Sequence, residues 1–109
     1  MKNENIVKKN HHFQKIIGKK NFLKGRSFIV YFNKDSQKNF KYGISVGKRI
    51  GNAVVRNKVK RQIRLMIFEL LPTLKIKQYQ IVIMARNQFL AKNYAFNFDE
   101  LNNLLNKLN

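Results

Sequence analysis

The sequence contains no cysteine, a single proline and only five acidic residues, and each shortage excludes a class of structure or chemistry. Without cysteine, neither a disulfide framework nor a zinc–thiolate site can form. Pro72 is the only proline, and no linker rich in Pro, Gly or Ser divides the 109 residues. We therefore expect one domain over 1–109, a length that can bury a modest hydrophobic core.

Long apolar runs are also missing. No segment approaches the ~18 consecutive apolar residues of a transmembrane helix. The first residues, MKNENIVKKNHHF, lack the apolar region of a secretory signal. These two absences predict a cytoplasmic protein.

The scarcity of acids leaves few candidates for catalysis. The five acidic residues are Glu4, Asp35, Glu69, Asp99 and Glu100, and they show neither an acid–base pair nor metal-ligand spacing. His11 and His12 are adjacent, which is a poor geometry for two metal ligands on one helix. No glycine-rich phosphate-binding motif occurs. The sequence therefore assigns no catalytic and no metal-binding residue, and we do not expect the protein alone to be a catalyst.

Positive charge is abundant instead. Twenty-three Lys and Arg residues give a formal net charge of +18, which a compact domain tolerates best when a polyanion neutralises it. Nucleic acid is the usual partner of such a domain, and an anionic membrane surface is the alternative. The chain is 44% hydrophobic, so a packed globule is expected rather than a disordered basic tail.

Hydrophobic periodicity divides the chain into helices and strands. The predicted elements are a helix over 10–18, strands over 26–34 and 40–47, a helix over 52–71, a strand over 79–86 and a helix over 98–108, with one more short strand near 20–25. A polar turn separates 26–34 from 40–47, so we expect these two strands to pair as a hairpin. We also expect Gly18 to end the first helix and Pro72 to end the second at Leu71. This pattern predicts an α+β sandwich, with a sheet on one side and helices on the other.

The helix over 52–71 carries the clearest functional pattern. At 100° per residue, its aliphatic side chains fall in an arc of about 80° and most of its cations in a neighbouring arc of about 140°. The aliphatic set is Val55, Val59, Ile63, Met66 and Leu70, and the polar set is Arg56, Asn57, Lys60, Arg61 and Arg64. No acid occurs between Asp35 and Glu69, so no i,i+4 ion pair relieves the repulsion between these cations. The pattern favours a nucleic-acid partner, with a solvated helix face as the alternative.

The residues before this helix extend its basic surface. Lys48 and Arg49 add two cations, Gly51 follows, and Asn52 is a predicted N-cap. Free N–H groups at the start of a helix favour phosphate. We therefore expect the loop and the helix to form one continuous anion-binding surface.

Two strands suggest a second surface. The strand over 40–47 has Gly43, Ser45 and Gly47 on one face, and such small residues permit close approach of a helix or of a nucleic-acid backbone. If the hairpin pairs in register, Tyr31 lies beside this small face as a stacking platform for an unpaired base. The alternative is that Tyr31 packs under the first helix. Phe13 has the same two interpretations, as a core residue or as an exposed aromatic of a groove.

The segment that combines these features resembles a known family. Residues 41–64 read KYGISVGKRIGNAVVRNKVKRQIR. They are similar to the characteristic sequence of the bacterial ribonuclease P protein subunit, in which a strand ending in S-V-x-K-[KR] precedes G-N-A-V-x-R-N-R-x-K-R-x-x-R on a helix. Phe13-Gln14-Lys15, the strand containing Tyr31, and YQIVIMAR at 79–86 lie in the order that this family has. The similarity therefore covers nearly the whole chain.

The resemblance implies a fold, an activity and two sets of site residues. The fold is of α-β-β-β-α-β-α order, with a mixed sheet packed by helices and a left-handed βαβ crossover. The activity is that of a ribonucleoprotein endoribonuclease, in which a catalytic RNA using Mg²⁺ removes the 5′ leader of precursor tRNA. The protein would bind that RNA one to one and hold the leader, with no membrane partner. The implied RNA-binding residues are Lys48, Arg49, Asn52, Arg56, Asn57, Lys58, Lys60, Arg61 and Arg64, and the implied leader groove contains Phe13, Ile17, Tyr31 and Ser45.

Three positions depart from the family pattern. Lys58 replaces the usual Arg, which keeps the charge and loses the bidentate fork. Ile17 replaces a common aromatic, so only apolar contact is left there, and Gly47 replaces a bulkier residue. The alternative function is a small structural RNA-binding protein of the ribosomal type. A protein-only nuclease would need the carboxylate cluster that the sequence lacks.

Overall fold

The computed structural model describes residues 15–18, 21–35 and 39–108. Its elements are a helix α1 at 15–18, strands β1 (Phe22–Lys24), β2 (Phe28–Lys34) and β3 (Lys41–Ser45), helix α2 (Ala53–Leu74), strand β4 (Tyr79–Ala85) and helix α3 (Tyr94–Asn106), with short 3-10 helices at Lys48–Ile50 and Asn87–Ala91. This order confirms the expected α+β architecture, including the short strand near 20–25. Asn10, His11, His12 and Phe13 lie outside the described residues.

The four strands form one mixed sheet in the order β1-β2-β4-β3. β2 pairs antiparallel with both β1 and β4, and β3 pairs parallel with β4. The predicted hairpin between β2 and β3 is wrong, because β4 lies between them. β4 is buried on both faces at every position except Met84, which is half-buried, and this agrees with the strand covered on both faces that its apolar run predicts. Helix α2 connects the parallel neighbours β3 and β4, and the left-handed sense of this crossover stays a prediction.

The hydrophobic core lies on one face of the sheet. Phe28, Val30, Ile81 and Ile83 project from β2 and β4 on this face and are completely buried. Helices α2 and α3 cover them, contributing buried residues that include Ile63, Met66, Leu101 and Leu105. Each large aliphatic side chain buried in this way contributes about 1.5–3 kcal/mol. No helix among the described residues is long and apolar enough to cross a bilayer.

Helix α2 continues past its predicted end. Pro72 lies inside it and cannot donate the hydrogen bond that the Phe68 carbonyl would otherwise accept. The helix nevertheless runs to Leu74, whose side chain is 2% exposed and joins the core. The predicted stop at Leu71 is therefore wrong, because burial of Leu74 offsets the lost bond.

The other predicted helix boundaries also need correction. Gly18 is itself helical rather than a positive-φ residue beyond the helix. Helix α3 begins at Tyr94 instead of residue 98, because the Asn93 side chain accepts a hydrogen bond from the Phe96 N–H at 2.8 Å. Leu108 lies just beyond the last helical residue and is buried, as its apolar spacing predicts.

The turn between β1 and β2 is held by α3. The Glu100 carboxylate accepts hydrogen bonds from the backbone N–H groups of Arg26 at 3.0 Å and Ser27 at 2.8 Å. A Cβ atom at Gly25 would lie 2.7 Å from the Glu100 Oε2 atom, so only glycine lets the carboxylate approach this closely. This contact fixes the edge strand β1 against the rest of the domain.

Candidate RNA-binding surfaces

The cations of helix α2 lie on the side of the helix that faces away from its buried apolar side chains. Val59, Ile63 and Met66 are buried against the sheet, as their spacing predicts. On the outer side Asn57, Lys58, Arg61 and Arg64 are exposed, whereas Arg56 and Lys60 are half-buried. The result is a basic surface mounted on a rigid, well-packed helix.

Arg56 has an unusual environment within this basic surface. Its Nε atom is buried and has no hydrogen-bond partner among the described residues. A buried guanidinium nitrogen without an acceptor is costly, because it has lost water without gaining a replacement. Arg56 as a whole is half-buried, so it joins the exposed cations of α2 to the packed side of the helix.

The residues that lead into α2 are held in a defined conformation. Lys48 and Arg49 are exposed on a 3-10 turn, which buried Ile50 anchors to the core. Gly51 has a φ of 159°, and a Cβ atom there would lie 2.9 Å from the Val55 side chain. The Asn52 side chain then accepts the Val55 N–H at 3.0 Å, which confirms its role as N-cap. The two loop cations are thereby placed at the start of the basic helix.

The opposite face of the sheet carries the groove residues. Tyr31, Val82 and Gly43 form one row across β2, β4 and β3, so Tyr31 and the small residue share a face with Val82 between them. Ile16 of α1 packs on Val82, and Ile17 and Tyr31 pack beside them. Tyr31 therefore packs against the cluster that Ile16 and Val82 form, and it remains only half-buried.

Ser45 lies in the next row on the same face. It is in register with Met84, which is in register with Ile29, and both Ser45 and Met84 are half-buried. The described groove candidates Ile17, Tyr31 and Ser45 thus lie on one side of the sheet. This side is less completely covered than the core face.

Comparison with known proteins decides the family. All 109 residues match the family model described as Ribonuclease P. The chain belongs to this family. The ribonuclease P protein component of Mesoplasma florum is 49% identical over 105 residues, which are 96% of each chain. The solved ribonuclease P protein of Staphylococcus aureus superposes with a TM-score of 0.83 at 32% identity, over 98% of this chain and 100% of that one.

A second solved relative supports the same assignment. The ribonuclease P protein of Thermotoga maritima superposes with a TM-score of 0.83 at 25% identity, over 94% of this chain and 96% of that one. As a member of the ribonuclease P family, the chain is a protein subunit of an endoribonuclease. The expectation drawn from residues 41–64 is confirmed, and the ribosomal alternative gains no support.

One residue of the groove face was missed by sequence reasoning. Phe22 of β1 is 50% exposed, and its ring centroid lies 5.9 Å from that of Tyr31 at an angle of 51°. The register places Phe22 directly opposite Tyr31. A three-residue strand is too short to show alternation, so the sequence offered no signal for the face that Phe22 occupies. Phe22 therefore adds a second partly exposed ring to the face that carries the groove candidates.

The described residues offer little for metal chemistry. They contain no group of three or more His, Cys, Asp or Glu side chains arranged to hold a metal ion. Hard cations such as Mg²⁺ are held by several oxygen ligands, usually carboxylates or phosphates.

Proposed function

We propose that this chain binds the catalytic RNA of ribonuclease P through α2 and its preceding loop, and the 5′ leader of precursor tRNA through the sheet face that carries α1. The observation that carries the proposal is the basic surface of α2. Its exposed cations lie opposite the apolar side chains that are buried against the sheet. No acid occurs between Asp35 and Glu69 to neutralise these cations. The association with the RNA follows from family membership, whereas the assignment of surfaces is our inference.

The basic surface suits a folded RNA. Lys and Arg side chains that contact phosphates release counterions and supply affinity without reading sequence. Arg61 and Arg64 are exposed on one face of α2, one helical turn apart. A rigid helix with this spacing fixes the orientation of the protein on the RNA as well as its affinity.

The groove face suits a single strand. Unpaired bases stack on aromatic rings with little sequence preference, because every base has a π-face. The partly exposed rings of Phe22 and Tyr31 lie side by side there. The small residue Gly43 lies in the same row as Tyr31, and Ser45 lies in the next row. This combination fits a leader whose sequence varies from one tRNA to the next.

In this proposal the two partners divide the work of the enzyme. The RNA supplies the chemistry and holds the Mg²⁺, and the protein contributes substrate binding and screens repulsion between two RNAs. We infer a one-to-one complex with the RNA, acting in the cytoplasm, without a membrane partner. By helping to hold the substrate, the protein lowers the magnesium concentration that cleavage needs.

The test is cleavage of precursor tRNA by the cognate ribonuclease P RNA at low and at high magnesium, with and without this protein. We expect strong stimulation at low magnesium, and a smaller effect at high magnesium because the ions then screen the two RNAs. A basic peptide of similar net charge is the control for unspecific screening. Stimulation no greater than that of the peptide would refute the proposal.

A further inference from the structure

The second half of α2 exposes large apolar side chains beside its cations. Leu65 is 54% exposed and Phe68 is 63% exposed, although both lie on a helix whose inner side is fully packed. Asn57, Arg61, Arg64 and Phe68 follow one another at spacings of four, three and four residues. This spacing places them on one face of the helix. Phe68 therefore continues the basic surface into a region that the motif at 41–64 does not include.

These residues border a concavity between α2 and β3. Its volume is about 460 Å³, and it is lined by Tyr42 of β3 and by Asn57, Arg61, Arg64, Leu65, Phe68 and Leu71 of α2. Small-molecule sites typically measure about 300–1,000 Å³ and combine apolar walls with a few polar groups. The lining here combines apolar and aromatic side chains with two guanidinium groups and an amide. The concavity therefore has the size and the mixed lining of a site for a planar, negatively charged group.

Charge decides which kind of partner fits. The chain has a formal net charge of +18, and the cations of the concavity would face those of a second copy of the chain. An aromatic ring flanked by guanidinium groups instead matches a nucleotide, since the base can stack on the ring while the phosphates contact the cations.

We propose that this concavity binds an unpaired nucleotide of the ribonuclease P RNA, with its base stacked on Phe68 and its flanking phosphates held by Arg61 and Arg64. The proposal rests on the proposed function, because it assumes that α2 faces that RNA. It adds a contact of a different kind, since a stacked base fixes the register of the helix on the RNA, whereas phosphate contacts alone permit sliding.

The first experiment measures binding of the cognate ribonuclease P RNA transcript by Phe68→Ala over a range of salt concentrations. Loss of one stacked base lowers affinity by about 5- to 150-fold. The slope of log affinity against log salt stays unchanged, because no phosphate contact is removed. Ile76→Ala is the matched control, since Ile76 is 83% exposed just beyond α2. It is expected to bind like the wild type.

A second experiment uses the absence of tryptophan from the chain. Phe68→Trp introduces the only tryptophan of the chain into the concavity, and its emission can be excited selectively over that of the four tyrosines. We expect stacking on a base to quench this emission when the transcript is added. Ile76→Trp is the control and should be quenched much less. Circular dichroism and urea unfolding establish that each variant folds.

The outcomes separate this proposal from the proposed function. If the wild type fails to bind the transcript, the proposed function fails. If the wild type binds and Phe68→Ala binds equally well, or if the two tryptophan variants are quenched alike, only the nucleotide site is overturned. Self-association of the wild type that Phe68→Ala abolishes, seen by sedimentation, would identify the patch as a protein interface and also overturn it.

Discussion

Ile83 and Met84 are neighbours on β4, yet they lie in different environments. Ile83 is completely buried beneath α2 and α3, whereas Met84 is half-buried on the face that carries α1. The same alternation runs through β2, where Val30 is completely buried and Tyr31 is partly exposed. One face of the sheet is closed by two helices, and the other is less completely covered.

This difference shows how a small domain keeps a binding face. The closed face supplies the apolar burial that stabilises the fold, so the other face is free to hold small residues and partly exposed rings. Ser45 on that face is small and only half-buried, so it leaves room for a ligand backbone. In the proposed function, stability and leader binding therefore depend on opposite sides of the same strands, and substitutions should separate the two.

The largest expected effect is the loss of a core side chain. Ile83→Ala should lower the free energy of unfolding by about 2–5 kcal/mol, because it leaves a cavity in the closed face. Met84→Ala is the matched variant on the same strand and should cost distinctly less, since Met84 is only half-buried. Urea denaturation of both measures the difference. Equal losses would show that the groove face is packed as tightly as the core.

Tyr31→Ala tests the less completely covered face of the sheet. We expect the holoenzyme to bind precursor tRNA about 1–3 kcal/mol more weakly, because one stacked base is lost. Binding of mature tRNA, which has no leader, should not change. Phe32→Leu is the control, because Phe32 is the next residue of β2 and packs on the core cluster. A Tyr31 variant that weakened both tRNAs equally would contradict a leader-specific role.

Arg61→Ala tests the outer side of α2. The affinity for the ribonuclease P RNA should fall, and the slope of log affinity against log salt should decrease by about one unit for the lost phosphate contact. Lys75→Ala removes an exposed cation at the C-cap of α2, outside the proposed surface, and should leave the slope unchanged. An unchanged slope in Arg61→Ala would argue against a direct phosphate contact.

The smallest expected effect concerns the two helix caps. Asn52→Ala and Asn93→Ala each remove a side-chain acceptor at a helix start, and each should cost about 1 kcal/mol of stability. Only Asn52→Ala should also weaken binding of the ribonuclease P RNA, because it loosens the junction between the cationic loop and α2. Equal binding losses in the two variants would assign both to general destabilisation.

Local patterns in the sequence predict the helix and its basic surface well. The buried and exposed sides of α2 follow from i,i+3 and i,i+4 spacing, which depends only on residues within a few positions. The N-cap at Asn52 was predictable for the same reason. The end of α2 was not predictable from local sequence. The hydrogen bond lost at Pro72 is offset by burial of Leu74 in the core, and that burial depends on residues distant in the sequence.

Features that depend on distant residues were missed. The hairpin between β2 and β3 was inferred from their adjacency in sequence, but the partner of both strands is β4, which follows a 22-residue helix. The role of Glu100 was equally hidden, since it binds backbone groups 73 and 74 positions earlier. Phe22 and Phe68 are single aromatics whose exposure follows from the tertiary fold.

The strand order β1-β2-β4-β3 has a consequence for biosynthesis. As the ribosome makes the chain, β2 and β3 emerge early but lack their common partner β4 until Tyr79–Ala85 has left the exit tunnel. Until then, helix α2 likewise lacks the apolar side chains that β4 contributes to the core. A nascent chain shorter than this lacks the central strand of the sheet that carries both proposed RNA surfaces. We therefore expect recognition of the RNA to begin only after β4 has emerged from the ribosome.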